Sequence, residues 1–396
     1  IHSLVKRSVA FIILFFFSVS LCAQLIKKLD SLKFIIKHAS SDEAMLTALV
    51  QLNEINTDRQ ELVDGFTRQI ALSLKLKEYS AACMAYSQLG YFEYEKNNLI
   101  AAESIFLKGM KLARQTKNDF AYGRMCNTMM CIYDKKGDLP TAINYLKEGE
   151  LLLMKVKRMK NLTRLYCNAS NVFGNHNLSS KVTEYIRKAY ATAVIAQSEG
   201  DPEPLTTASW YLANNLRENA QYDSAIYYFK QGLQIAEKLE LPYTQGDMLR
   251  GLSDVYAELK MYPRSKDYLQ QAILKYASVH VPDRVLECEE SMAFLSFMEK
   301  DFSKVKNYVI GRQNIVTEDS LINNRYVYKW MANVTLAESD VEGWKYYSKK
   351  FEQADAALTN DKIQKNLLEL GAKYKLSKKE SELLQKEADN RKRLWV

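Results

Sequence analysis

An all-α chain of stacked helical hairpins is the fold class this sequence predicts, and three observations predict it. The 396 residues include only 14 Gly and 6 Pro, well under the usual roughly 7% and 5%, so turn-rich β architectures lack their punctuation. Hydrophobic residues make up 47% of the chain, enough for an extended core and wrong for disorder. Third, one pattern of small and large side chains returns at intervals of 40, 40, 40, 43, 40, 40 and 39 residues between Leu62 and Trp344. Periods of that length mark arrays of a single supersecondary unit.

In chain order, the first segment is a leader. Lys6 and Arg7 precede the apolar run "SVAFIILFFFSVSLCA", which ends at Ala23. A basic start, a short apolar stretch and a small residue at the end predict a secretory signal over residues 1–23. An uncleaved anchor is the alternative, although the run is short beside the about 20 residues of a spanning helix. Ile1 rather than Met opens the chain, which is consistent with a clipped record or an unusual start codon. Removing Lys6 and Arg7 with the leader lowers the net charge from +8 to +6. That excess is mild, and no basic stripe interleaved with aromatics appears, so nucleic acid is not an expected partner. Next, Ser40 with Glu43 and Thr57 with Gln60 have the spacing of capping boxes at two helix starts.

The repeats then begin. "AAESIFLKGMKLA", "TAINYLKEGELLL" and "SAIYYFKQGLQIA" align so that each places a small residue, a large apolar one four later, and Gly three later. The triplets are Ala102/Phe106/Gly109, Ala142/Leu146/Gly149 and Ala225/Phe229/Gly232. The same phase continues at Val182/Ile186/Ala189, Ser265/Leu269/Ala272 and Val305/Val309/Arg312. Leu62/Phe66/Gln69 and Trp344/Ser348/Phe351 fit least well and lie at the ends, where capping repeats are atypical. A spacing of four then three is helical, so each triplet marks the buried stripe of a second helix. Upstream, Leu89-Gly90, Leu212-Ala213 and Leu252-Ser253 stand at constant offsets in the matching first helix, and Tyr133 and Tyr256 one turn nearer the triplet.

These residues resemble the tetratricopeptide repeat, whose pattern is W-x2-L-G-x2-Y, then A-x3-F and a later Pro. The likeness spans roughly residues 42–358. The period of about 40, against 34 in the family, implies longer helices in the same unit. The Trp is mostly lost, and Leu-Gly survives intact only at Leu89-Gly90. Prolines agree with the register. Pro140 and Pro263 each lie two residues before a triplet, where a second helix should start, with Gly137 and Asp138 supplying turn and cap. Pro202, Pro242 and Pro282 recur 40 apart in the gaps between repeats, and Pro204 shares the first gap. Cys83, Cys126, Cys131, Cys167 and Cys288 fall in predicted helices without paired spacing, as small apolar residues rather than a disulfide framework.

Stacked hairpins of this kind present their first helices along a concave face. The register places Asn127, Asn171, Asn214, Arg250 and Asp254 there, with Tyr94 and Arg217 one turn further on. Side-chain amides offer two donors and an acceptor, which suits a peptide main chain; the alternative is that these are ordinary solvated positions. The Lys of the family's carboxylate-binding arrangement is absent, so peptide-tail capture of that type is not implied. Nothing predicts catalysis. His2, His38, His176 and His280 have no partner at metal-ligand spacing, and no zinc-protease, nucleophile-elbow, P-loop or dinucleotide motif occurs. His176 falls in a turn. No cofactor or metal is expected.

The tail differs from the repeats. Ile363, Leu367, Leu370, Tyr374 and Leu384 follow a four-three alternation, the seam of a coiled coil, interrupted by Ser377, Ser381 and Arg391. A homodimer through this helix, over 359–394, is expected; the alternative is a cap folded back at Gly371. A leader, about eight repeats and a basic helical tail resemble the sensor half of bacterial two-component proteins, either histidine kinases or helix-turn-helix regulators. In that family a membrane span and an output domain follow. The resemblance implies that Leu394-Trp395-Val396 starts a transmembrane helix, with Trp at the interface. It also implies an exported, periplasmic sensor anchored in the inner membrane that binds a peptide or protein in its groove. A complete periplasmic scaffold that assembles other proteins is the alternative.

Overall fold

The computed structural model describes residues 27–56, 59–313 and 320–359. Every regular element among them is an α-helix. The chain divides into two compact units, residues 1–204 and residues 205–396. In the first, a helix over 27–38 (α1) precedes four hairpins. They pair α2 (Asp42–Ile55) with α3 (Arg59–Lys75) and α4 (Tyr79–Glu95) with α5 (Leu99–Gln115). The next two pair α6 (Asp119–Lys135) with α7 (Leu139–Lys155) and α8 (Met159–Asn175) with α9 (Ser179–Ser198). The second unit pairs α10 (Glu203–Glu218) with α11 (Tyr222–Lys238) and α12 (Pro242–Glu258) with α13 (Tyr262–Ser278). It continues with α14 (Pro282–Met298), α15 (Phe302–Gln313), α16 (Ser320–Ala337) and a helix over 341–359 (α17). The leader, the seam residues Ile363, Leu367, Leu370, Tyr374 and Leu384, and Leu394 to Val396 lie outside the described residues.

The triplets fall on the second helices, as the phase predicts. Ala102, Phe106, Ala142, Ala225, Phe229, Leu269, Ala272, Val305 and Val309 are completely buried. The third position is small because it sits between two first helices. A Cβ on Gly109 would meet Tyr86 of α4 at 2.7 Å and Met125 of α6 at 2.9 Å. Gly232 is likewise wedged between Ser209 of α10 and Met248 of α12. The Leu-Gly motif has the matching cause, since a Cβ on Gly90 would press into the Phe106 ring at 2.9 Å. Tyr133 and Tyr256 stack on Tyr145 and Tyr268 of their partner helices, with ring centroids 5.5 and 5.4 Å apart. Such aromatic pairs add about 0.5–1.5 kcal/mol beyond the area they bury.

Turn chemistry is where the structure departs from expectation. From the α3–α4 turn to the α14–α15 turn, and again between α16 and α17, one hydrogen-bond pattern recurs. At the α4–α5 turn the Asn97 N–H donates to Tyr94 O and the Asn98 N–H to Glu93 O. This is the Schellman closure, which needs a left-handed residue just past the helix, usually Gly. Gly137 and Gly200 supply it at two turns, but Lys77, Lys117, Lys157, Ala220, Glu240, Lys260 and His280 adopt the same positive φ. Sequence punctuation therefore missed most turns. Asp138 caps α7 as predicted, accepting from the Thr141 N–H at 3.1 Å. The Ser40–Glu43 capping box does not form. Ser41 is the cap of α2 and accepts from the Ala44 N–H. Thr57 is outside the described residues. Pro140 and Pro263 sit in the first turn of α7 and α13 as expected, and Pro202 lies between α9 and α10, whereas Pro242 and Pro282, expected in gaps, begin α12 and α14. Pro204 is the second residue of α10 rather than part of a gap. A proline there surrenders only an N–H that had no helical partner.

Candidate functional site

In the first unit the first helices α4, α6 and α8 touch one another across neighbouring hairpins. Their outward residues consequently share one face. Tyr94, Asn127 and Asn171 all lie on it. Tyr94 is half-buried under Lys135, whose Nζ lies 4.4 Å from the ring centroid, and burial raises the Tyr94 phenol well above its usual pKa. Asn127 is half-buried and its Oδ1 accepts from Asn168 Nδ2 at 3.0 Å. Asn171 stands exposed on α8.

Sequence reading missed several neighbours on this face. Tyr91 stands 44% exposed on α4. Arg124 of α6 and Arg164 of α8 hold the same repeat position 40 residues apart, a signal that the register already carried. Burial, and then the Arg164 guanidinium, pull Arg124 below its usual pKa. Asp134, at the end of α6, is taken by the His176 ring at 2.9 Å and by Asn175 at 2.8 Å. His176 is thus a helix-end contact.

The second unit places its predicted residues in an ion-pair lattice. Arg217 of α10 reaches Glu258 of α12 at 2.8 Å, and Arg250 of α12 pairs with Glu287 of α14. Arg284 shares Glu287 at 2.9 Å. Asp254 lies within reach of the Arg217 and Arg250 charges, yet burial dominates and raises its carboxyl above the usual range. Asn214 turns back on its own helix, donating to Trp210 O at 2.9 Å. The Arg217–Glu258 and Arg250–Glu287 pairs tie successive first helices together. Asn214, Arg217 and Arg250 are thereby engaged within the protein.

The cysteines behave as small apolar residues. Cys83, Cys126, Cys167 and Cys288 are buried, Cys131 half-buried, and all five are free thiols. Burial pushes Cys83 up to about 11 and Cys167 and Cys288 up to about 12. Among the described residues no cluster of three or more His, Cys, Asp or Glu could hold a metal ion. None of the described helices is long and apolar enough to cross a membrane.

The sequence matches no protein-family model and no curated protein sequence. Solved structures do match. One is a Signal Transduction ATPase with Numerous Domains from Pyrococcus horikoshii, with a tetratricopeptide repeat sensor. The two are 15% identical with a TM-score of 0.57, over 86% of this chain and 51% of that one. The chain therefore spans about half the length of that protein. A second is aspartyl phosphate phosphatase F from Bacillus subtilis, at 12% identity and a TM-score of 0.50, over 84% of this chain and 93% of that one. The fold is the tetratricopeptide-repeat type, an all-α solenoid of helical hairpins.

Proposed function

We propose that this chain is the exported, ligand-reading part of a membrane signalling protein, binding a peptide or protein on the first helices of its repeats. The observation that carries the reading is the shared face of α4, α6 and α8. Three neighbouring helices present Tyr91, Tyr94, Arg124, Asn127, Arg164 and Asn171 together. Aromatic and guanidinium groups of this kind are what protein interfaces select, while amides hold main chain. The sensor repeats named for the Pyrococcus protein are a precedent for this use of the fold. Export rests on the basic and apolar leader, and signalling on the basic coiled-coil tail, which would transmit a change of pairing as rigid motion toward a membrane span.

A photo-crosslinking amino acid at Asn171 tests the binding face in cells. The expected result is a discrete crosslinked partner that is absent when the probe replaces the outward Leu151, which is 69% exposed on α7. Equal labelling at both positions removes the assignment of the face. Protease treatment of spheroplasts tests the export claim, since a periplasmic sensor is digested without lysis.

A further inference from the structure

Arg124 and Arg164 are the least satisfied charges on the proposed face. The only hydrogen bond from Arg124 among the described residues goes to the Met84 sulfur at 3.6 Å. A thioether is a weak acceptor, and a guanidinium has five donors that keep their charge at any physiological pH. Neither arginine meets a carboxylate among the described residues. Glu95, at the end of α4, is engaged by the Tyr91 phenol. Arg124 and Arg164 hold the same repeat position on the touching helices α6 and α8, one turn before Asn127 and Asn168, whose amides meet at 3.0 Å across those helices.

The second unit shows what is missing. Arg124 and Arg164 each lie eighteen residues before the small residue of their triplet, at Ala142 and Val182. The same position is Asp247 before Ser265 and Glu287 before Val305. There the chain supplies its own acid, and Glu287 takes both Arg250 and Arg284. In the first unit the position carries cations, and no acid of the described chain answers them. A half-buried guanidinium without a counter-ion is costly, and a bidentate carboxylate is the group that fits its fork.

We propose that Arg124 and Arg164 form a carboxylate-recognition site, and that the partner read by this face is an acidic peptide segment whose carboxylate bridges the two guanidiniums. The inference rests on the peptide-binding reading above and names the partner's chemistry. The Tyr91 ring borders the site, and the Asn127–Asn168 amide pair lies on the same two helices as the arginines. The carboxylate belongs either to a Glu or Asp side chain or to a peptide C-terminus, and the test separates these.

Fluorescence anisotropy at physiological salt uses three labelled peptides: alternating Glu-Ala with an amidated end, alternating Gln-Ala with a free carboxylate, and alternating Gln-Ala amide. Binding of the first assigns side-chain carboxylates, and binding of the second alone assigns a terminal one. The neutral amide should bind at least 10-fold more weakly than either. Arg124→Met and Arg164→Met should each weaken binding about 10- to 100-fold, the range for losing a charge-assisted partner. Lys108→Gln, a charge change at an exposed position of α5, should leave it unchanged. The double variant Arg124→Glu/Arg164→Glu should bind alternating Lys-Ala instead. Because Arg124→Met removes a half-buried charge with no described counter-ion, its melting temperature should hold or rise. That of Arg164→Met, at an exposed position, should stay unchanged, and citrate should raise that of the parent protein only. Equal binding of all three peptides overturns the carboxylate assignment while leaving a peptide face intact. So does wild-type affinity in both methionine variants, or the absence of binding by either carboxylate peptide. Failure of the crosslinking experiment at Asn171 is a separate result and removes the face itself.

Discussion

Gly246→Ala makes a demanding test of the packing, because two effects of opposite sign compete. Gly246 lies inside α12, where Ala is intrinsically better by about 0.8–1 kcal/mol. Against that, the new Cβ would meet the Tyr276 ring of α13 at 2.7, 2.8 and 2.9 Å. Ordinary contact begins at 3.4 Å, so the ring must retreat by about 0.7 Å. It has little freedom to do so. Tyr276 is completely buried, its hydroxyl donates to Asp247 Oδ1 at 2.7 Å, and Tyr243 packs against it edge-on at 5.7 Å. Overpacking a site held on three sides costs about 2–3 kcal/mol, so the net effect should be a loss of about 1–2 kcal/mol. Repeat arrays unfold in parts rather than as one cooperative block, so a local measurement is needed. Hydrogen–deuterium exchange in α12 and α13 should quicken about 5- to 30-fold, while α4 and α5 in the other unit should not change. Tyr276→Phe releases the hydroxyl tether but leaves Asp247 without its donor. The double variant should therefore cost less than the two singles added together. A gain of about 1 kcal/mol in Gly246→Ala, the full helix-propensity term, would refute this packing.

The remaining predictions concern turns, thiols and the second unit's carboxylate. Glu240→Gly and Lys260→Gly, at left-handed turn positions, should each stabilise by about 0.5 kcal/mol, read from urea unfolding. Relief of a strain of roughly 1–2 kcal/mol is partly offset by the greater unfolded freedom of Gly. The buried thiols should resist a thiol-reactive dye at pH 8 until urea is added. The Cys83 thiol, raised from 9.0 to about 11, makes a contribution to stability that is intact below pH 9 and lost as pH climbs through 11, because the unfolded thiol ionises first. Melting temperatures across that window should fall, and Cys83→Ala should flatten the fall. Asp254 has a raised carboxyl pKa, so its folded form binds protons more readily and its contribution weakens as pH rises above the usual carboxylate range. Asp254→Asn should stabilise the second unit at neutral pH and leave it unchanged near pH 3, judged by exchange in α12.

The period of 40, the helix phase and the buried triplets were determined by the sequence alone. Ala102, Phe106 and Gly109 carry that information locally: a helix places positions four and three apart on one side, and small residues recur wherever two helices must approach. The same logic identified Leu89-Gly90 and the stacked Tyr133 and Tyr256. What the tertiary structure decided falls into two kinds. Turn geometry is one. Lys157, Glu240 and His280 adopt positive φ because Schellman closure between packed helices over-determines them, although their own preference is otherwise. The partners of the face are the other. Arg250 finds Glu287, Arg217 finds Glu258 and Asn168 finds Asn127, each about 40 residues away in the neighbouring hairpin. No local pattern encodes those meetings, because they depend on how each hairpin is rotated against the next. Arg124 and Arg164 belong with them. Their shared phase is visible in the sequence, but only the packing of α6 against α8 sets both cations on one face with no carboxylate paired to them among the described residues.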